Sequence, residues 1–414
     1  MTLRTSRLRN ALRGSAGIAV AMGVMNVATY GYTIVAARLL GPQRYGPFAA
    51  VMGLLLVVGV LQLGLQATGA RRIAAVPEDV AEVERTLLGV SYLSAVSLGV
   101  LCLLLTPVIN STLHLDSVAT AALVALIAVP MTVMGGQAGI LQGERRWAPL
   151  AVLYLAAGVP RLLVGTALLV WRPTEFLAIL GVAAGFLAPV AVGWWALRRS
   201  ARDAIHSPGA HDAPSILWET VRNSHALLAF FALSNADVIV ARGVLDSHES
   251  GLYAGGLILV KAVLFLPQFV VVIAFPSMST ESARRTALIK SVVFILGLGL
   301  VAILAAWVLS GLTLTFIGGH QYVAIQHQLW RFALLGTLLS MLQLLVYSVV
   351  ARQSRRSVYL VWAALILLVV GARLTHDVTA LVNVVSSVDG ALFLALLALT
   401  LWRLRAEKPA EVRV

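Results

Sequence analysis

Apolar runs of about 20 residues, the length one helix needs to cross a hydrocarbon core of about 30 Å, recur from end to end of this chain. Clusters of Gly, Pro and charged residues separate them. Measured against that length, the pattern predicts twelve membrane-spanning helices, at about 14–37, 46–69, 87–109, 117–141, 147–171, 175–197, 220–241, 251–275, 286–309, 322–350, 357–373 and 384–403. No interval between them is long enough to hold a soluble domain. The predicted fold class is therefore an all-α polytopic membrane protein.

The first two spans meet at an outer turn, Leu39-Leu40-Gly41-Pro42-Gln43-Arg44-Tyr45, and this hairpin has an echo later in the chain. Ala37-Arg38 followed by Gly46-Pro47-Phe48-Ala49 is matched by Ala241-Arg242 followed by Gly251-Leu252-Tyr253-Ala254. An offset of about 205 residues in a chain of 414 is what duplication of a six-helix bundle leaves behind. Two six-helix lobes related by a pseudo-twofold axis are expected, at 14–200 and 220–404. A basic amphipathic tip (1–13) precedes them, a polar cytoplasmic linker containing Ser207-Pro208-Gly209 (201–219) joins them, and a short cytoplasmic tail (405–414) follows.

Composition agrees: 59% of residues are apolar and 12% charged, against roughly 25% charged in a soluble domain. The net charge of +13 would suggest nucleic acid if it lay on a soluble surface. It lies instead on alternate loops. With the N-terminus inside, the outer segments hold only Arg38, Arg44, Arg172, Arg242 and Arg373, and nearly all other Lys and Arg fall on inner segments. This asymmetry predicts both termini in the cytoplasm and a multi-pass protein of the cell membrane. The run after Arg13 is too long for a signal peptide and is read as the first span. Cys102 lies within a span, so no disulfide or cysteine-based metal site is expected. His320 and His327 carry no metal-binding pattern. No phosphate-cradling loop, nucleotide fold or nucleophile triad is found, and the outer loops are too short to build a glycosyltransferase site. The chain is not expected to be an enzyme or to bind nucleic acid.

Ala36-Ala37-Arg38-Leu39-Leu40-Gly41-Pro42, with Tyr45-Gly46 and Phe48-Ala49, resembles the opening of polysaccharide-export flippases. These belong to the multidrug/oligosaccharidyl-lipid/polysaccharide (MOP) superfamily, which also contains the MATE exporters. Leu233-Ser234-Asn235-Ala236-Asp237, Gly251-Leu252-Tyr253-Ala254 and Leu266-Pro267-Gln268 through Phe275-Pro276 resemble that family's seventh and eighth helices, and Ile140-Leu141-Gln142-Gly143 with Arg161 its fourth and fifth. The resemblance covers residues 10 to about 280 and implies a MATE-like V that opens alternately to each side. It implies movement of a polyprenyl diphosphate-linked oligosaccharide from the inner to the outer leaflet, for cell-surface polysaccharide synthesis.

Such a substrate needs positive charge for the diphosphate and hydrogen bonds for the sugar. Three cations fall inside predicted spans: Arg161, Lys261 and Arg331. An ionisable group there costs about 2.5–3.5 kcal/mol by insertion scales, so it faces water or a partner. The rival reading pairs each with an acid, Asp237 being the obvious partner of Lys261 or Arg242. Arginine would hold a diphosphate as a planar fork and lysine as a point charge. Gln268, seven residues after Lys261, extends a polar stripe on the eighth span.

Neutral polar groups form further stripes: Asn26, Thr29, Tyr30 and Thr33 on the first span, Gln62 and Gln66 on the second, and Gln137 on the fourth. They suit sugar hydroxyls, and equally they suit helix-to-helix contacts. Asp237 with Asn235 is the candidate site for a coupling cation, sodium or a proton, as a carboxylate on the seventh helix serves in related peptidoglycan-precursor flippases; Asp389, at the start of the last span, and Asn383 are conceivable co-ligands. No resident cofactor or metal is expected. The expected partners are the lipid-linked oligosaccharide, membrane lipids, and glycosyltransferases or a polymerase of the same pathway. A MATE-type cation exporter and a non-transporting assembly scaffold are the alternatives. The first would want acid on the opening span, which has none.

Overall fold

A computed structural model describes residues 15–75, 80–198, 213–264, 284–351 and 355–406, and no strand occurs among them. Helices are what hydrocarbon demands, because an unpaired backbone N–H or C=O has no water there to bond. The predicted basic tip and most of the linker and tail lie outside the described residues.

The chain begins with α1, Ser15–Val58, broken only at Gly41 (φ 69°, ψ 171°), so the expected seven-residue outer loop is a one-residue kink between two helices. Only glycine adopts that backbone conformation without strain. Pro42 follows it, and a proline whose fixed φ suits a first helical turn restarts the helix at once. Then come α2 (Val60–Ala75), α3 (Val80–Leu104), α4 (Thr106–Leu113), α5 (Val118–Gly143), α6 (Trp147–Trp171) and α7 (Glu175–Leu197). Gly59 N–H bonds Leu55 O at 2.8 Å, so α2 continues the second limb of α1 as one crossing. In the same way Leu105 N–H, bonding Leu101 O at 2.9 Å, joins α4 to α3.

The remaining helices are α8 (Ala213–Val244), α9 (Ser247–Leu264), α10 (Arg284–Val308), α11 (Ser310–Ile317), α12 (Leu329–Ala351), α13 (Arg355–Ala372) and α14 (Val378–Ala406), with a 3-10 segment at His320–Gln328 before α12. The echo of the first hairpin is built differently. Asp246 caps α9, its Oδ1 accepting from the N–H groups of His248 and Glu249, each at 2.8 Å. Nine helical stretches among the described residues are long and apolar enough to cross a membrane, the first of them the run that Gly41 divides.

The chain forms two compact units, Met1–Leu228 and Ala229–Val414. The division falls inside α8 rather than in the expected linker, because the first turns of α8 belong to the first unit. Glu219 pairs with Arg71 and Arg72, and Gly64 gives Ser224 and Thr220 room to approach.

Each unit is organised around the fourth predicted span of its half. In the first unit this is α5, packed on α2, α3 and α7; in the second it is α12, packed on α9, α10 and α14. Glycines set the closeness of packing. Gly135, Gly139 and Gly143 lie along one stripe of α5, and a Cβ at Gly139 would stand 2.9 Å from the Cα of Gln66. In α12, a Cβ at Gly336 would stand 3.0 Å from the Cα of Val260. Small residues let helix backbones touch where hydrocarbon offers no hydrophobic drive. Elsewhere the surface is apolar, with Leu93, Leu104, Val170, Val301 and Ile366 pointing outward. Exposed tryptophans mark helix ends, among them Trp171, Trp194, Trp195, Trp307 and Trp402, as aromatic belts at the two membrane interfaces require.

Candidate functional site

In the first unit the candidate cation is Arg161, on α6 directly after Pro160. Three helices converge on it through glycine. A Cβ at Gly158 of α6 would lie 2.7 Å from the Cα of Met25 in α1, and one at Gly185 of α7 would lie 2.6 Å from the Cβ of Arg161. Tyr32 of α1 sits against Gly165 and Gly181 and donates to Ala178 O at 2.6 Å, tying α1 to α7. Arg161 is buried at 6% exposure, its guanidinium 4.5 Å from the centroid of the Phe186 ring. Its Nε has no hydrogen-bond partner, and no carboxylate pairs with it among the described residues. The internal ion pair that would have explained a buried arginine is absent from its described surroundings.

The predicted neutral stripes divide into two kinds. Gln137 is fully buried against Gly193 and donates to Val190 O at 3.3 Å, joining α5 to α7. Gln66 is half-buried, and its Nε2 donates to Gln142 Oε1 at 2.9 Å and to Tyr154 Oη at 2.8 Å, so α2, α5 and α6 meet in one polar cluster. Gln62, one turn away, has a 3.8 Å contact from its Nε2 to Met134 Sδ as its one side-chain hydrogen bond among the described residues. Thr33 bonds back to Thr29 O at 3.1 Å, within its own helix. Asn26 is half-buried on α1, next to the Met25 backbone that Gly158 admits.

In the second unit, Asn235, Asp237 and Lys261 come together on α8 and α9. Lys261 Nζ lies 3.4 Å from Asn235 Oδ1 and forms no ion pair with a described carboxylate. Asp237 is buried, accepting from Tyr253 Oη at 2.9 Å and from Val238 N–H at 2.8 Å. Asp389 is buried in α14, well inside the helix rather than at its start, and its Oδ1 has no hydrogen-bond partner among the described residues. It is close enough to Asp237 and Tyr253 to interact electrostatically with both. Arg331 stands apart from this group. It donates to Asn383 Oδ1 at 2.7 Å and lies 5.1 Å from the Trp330 ring. Gln268 lies outside the described residues.

Sequence reasoning missed Tyr154, Gln142 and Tyr253, since a tyrosine or terminal glutamine in an apolar run carries no periodic signal. It also put Arg242 on an outer loop, whereas Arg242 is a buried residue of α8 that donates to Ser250 Oγ at 2.8 Å. Its place near a helix end, beside a hairpin that holds Asp246 and Glu249, could not distinguish the two.

The sequence model described as polysaccharide biosynthesis protein matches residues 11–281, well over half of the chain. The chain belongs to that family. No curated protein matches it. Among solved structures, this polysaccharide biosynthesis protein is similar to a multidrug resistance MATE family transporter of the MOP superfamily in an inward-facing conformation, with a TM-score of 0.70, 14% identity, and 94% of this chain and 96% of that one covered. It is similar to a MOP superfamily transporter from Pyrococcus furiosus whose binding pocket is described as having reverse polarity, with a TM-score of 0.62, 14% identity and 96% of each chain covered. It is also similar to a eukaryotic MATE transporter, with a TM-score of 0.57, 14% identity, and 94% of this chain and 96% of that one covered. The family member therefore has the all-α, polytopic MATE-like fold.

Proposed function

We propose that this protein is a flippase that moves a polyprenyl diphosphate-linked oligosaccharide from the inner to the outer leaflet by alternating access. The observation that carries the reading is Arg161, buried over Phe186 with no described acid to neutralise it. A guanidinium kept in a membrane helix at such a cost is stabilised by an anion that arrives and leaves. A diphosphate meets that need, and its fork geometry suits arginine. Lys261, held by a neutral amide, and Arg331, held by Asn383, are the further cations proposed to contact the substrate. Asn26, Thr33, Gln62, Gln66, Gln137 and Gln268 are the neutral groups proposed around the substrate.

Membership of a polysaccharide biosynthesis family supports a saccharide cargo. The MATE-type reading would require acid where this chain carries base, and the Pyrococcus furiosus transporter, whose pocket polarity suggests a different function, sets a precedent within the fold. Asp237 with Asn235 is proposed to take the coupling cation, sodium or a proton. The protein is proposed to lie in the cell membrane with both termini in the cytoplasm, as its loop charges require, alongside the glycosyltransferases or polymerase of its pathway.

The test is reconstitution in liposomes with a fluorescent polyprenyl diphosphate-oligosaccharide in one leaflet. Wild-type protein should equilibrate the probe between leaflets, and Arg161→Ala should not. A scaffold would leave the probe where it started in both cases, and that result would sink the proposal.

A further inference from the structure

Gln66, Gln142 and Tyr154 lie far apart in sequence but form one hydrogen-bonded cluster on α2, α5 and α6. The way their hydrogen-bonding capacity is used distinguishes it from ordinary helix contacts. Both protons of the Gln66 amide are spent, one on Gln142 and one on Tyr154. Left over among the described contacts are the Gln66 carbonyl oxygen as acceptor, the Gln142 amide nitrogen as donor and the Tyr154 hydroxyl proton as donor. Gln137 differs in burial: it is 1% exposed, its amide bonded across to a backbone carbonyl and its oxygen, without a partner among the described residues, set against Gly193.

Gln142 is exposed and Gln66 half-buried. An amide with unspent donors does not face acyl chains without a cost of several kcal/mol, so this side of the cluster faces water. Gln62, one turn along α2 with a single weak contact to sulfur, extends the same neutral surface. The cluster carries no charge, which suits a ligand rich in hydroxyl and amide groups rather than an ion.

Its relation to Arg161 supplies the register. Tyr154 and Arg161 lie seven residues apart on the buried face of α6, hence on one side of the helix and separated by about 10 Å along its axis. Tyr154 is nearer the Arg145–Arg146 end. A group attached to a diphosphate at Arg161 and extending towards that end would pass Tyr154.

We infer that Gln66, Gln142 and Tyr154, with Gln62, form a subsite that recognises the saccharide next to the diphosphate through neutral hydrogen bonds. This rests on the flippase reading above and assigns specificity for the sugar to residues separate from those that hold charge.

The experiment measures binding of two probes to the full-length protein in detergent: farnesyl diphosphate, and farnesyl diphosphate carrying one N-acetylglucosamine. Wild-type protein binds the glycosylated probe more tightly. Gln142→Ala and Tyr154→Phe each weaken the glycosylated probe by roughly two- to tenfold, the value of one neutral hydrogen bond, and leave farnesyl diphosphate unchanged. Arg161→Ala weakens both. If Gln142→Ala and Tyr154→Phe bind both probes as wild type does, or lose both in equal proportion, the subsite is overturned and the flippase reading stands. If wild type binds neither probe, both fall. Gln142 is exposed, so its substitution keeps the test valid even where Tyr154→Phe fails to fold.

Discussion

The Arg161 guanidinium stands 4.5 Å from the centroid of Phe186 on the neighbouring helix, and Tyr32 of α1 also interacts with its charge. A ring face contributes about 0.5–2 kcal/mol to a desolvated cation, less than the cost of burying it, so the pair holds the arginine in place without neutralising it. The proposed diphosphate would supply the missing anion.

Arg161→Lys should keep the charge, lose the planar fork and retain partial flipping, whereas Arg161→Ala should abolish it. Phe186→Leu should keep the protein folded and weaken probe binding by roughly two- to thirtyfold, the worth of the ring contact. Leaflet exchange of the fluorescent lipid and melting of each variant in detergent check these together. Full flipping by Arg161→Ala would remove the arginine from the mechanism.

Gly185 is the point where α7 touches Arg161. A Cβ there would stand 2.9 Å from the Arg161 Cα and 2.6 Å from its Cβ, with backbone that has no room to yield. Gly185→Ala should cost about 1–3 kcal/mol through overpacking and should lower transport with it. Gly89 has nothing within 4 Å of a Cβ, so Gly89→Ala should be neutral or stabilising by up to about 1 kcal/mol. Thermal unfolding of the two variants side by side reads the difference.

Tyr253 donates to Asp237 at 2.9 Å in a fully buried setting. Removing the hydroxyl leaves a carboxylate oxygen short of a partner, so Tyr253→Phe should destabilise by about 1–3 kcal/mol. Combined with Asp237→Asn, the two effects should not add, with a coupling of roughly 0.5–3 kcal/mol. Additive losses would mean that the hydrogen bond contributes nothing. If Asp237 couples transport to an ion, Asp237→Asn should also remove the dependence of flipping on a sodium or proton gradient.

Gly41 sets the first hairpin with φ 69° and ψ 171°. A side chain there costs about 1–3 kcal/mol in backbone strain, so Gly41→Ala should lower the melting temperature more than alanine at the exposed neighbour Gln43. Equal melting of the two variants would show that the kink tolerates a side chain.

Much of this was legible in the chain. Eleven of the predicted spans begin or end within a few residues of a described helix, and the kink fell at the Gly-Pro step that marked the turn. Arg161 was found as a cation inside a span, and Asn235, Asp237 and Lys261 as neighbours on adjacent helices. The polar stripes were less readable. Gln62, Gln66 and Gln137 look alike in sequence, yet one is buried and bonded to a backbone carbonyl and another opens onto unspent donors. The apolar run places Asp389 at a helix start, whereas α14 begins at Val378 and holds Asp389 well inside.

The order and length of the apolar runs determined the helices, because a chain in hydrocarbon must satisfy its backbone internally and only a helix does so within one segment. The alternation of charge in the loops determined the expected orientation, through the preference of basic residues for the inner side. Which polar groups meet one another was decided only by the packed structure. Gln66, Gln142 and Tyr154, or Arg161 and Phe186, are joined by how far each helix is rotated and how closely glycines let it approach. Rotation and approach depend on contacts between residues distant in the chain, and no local pattern encodes them.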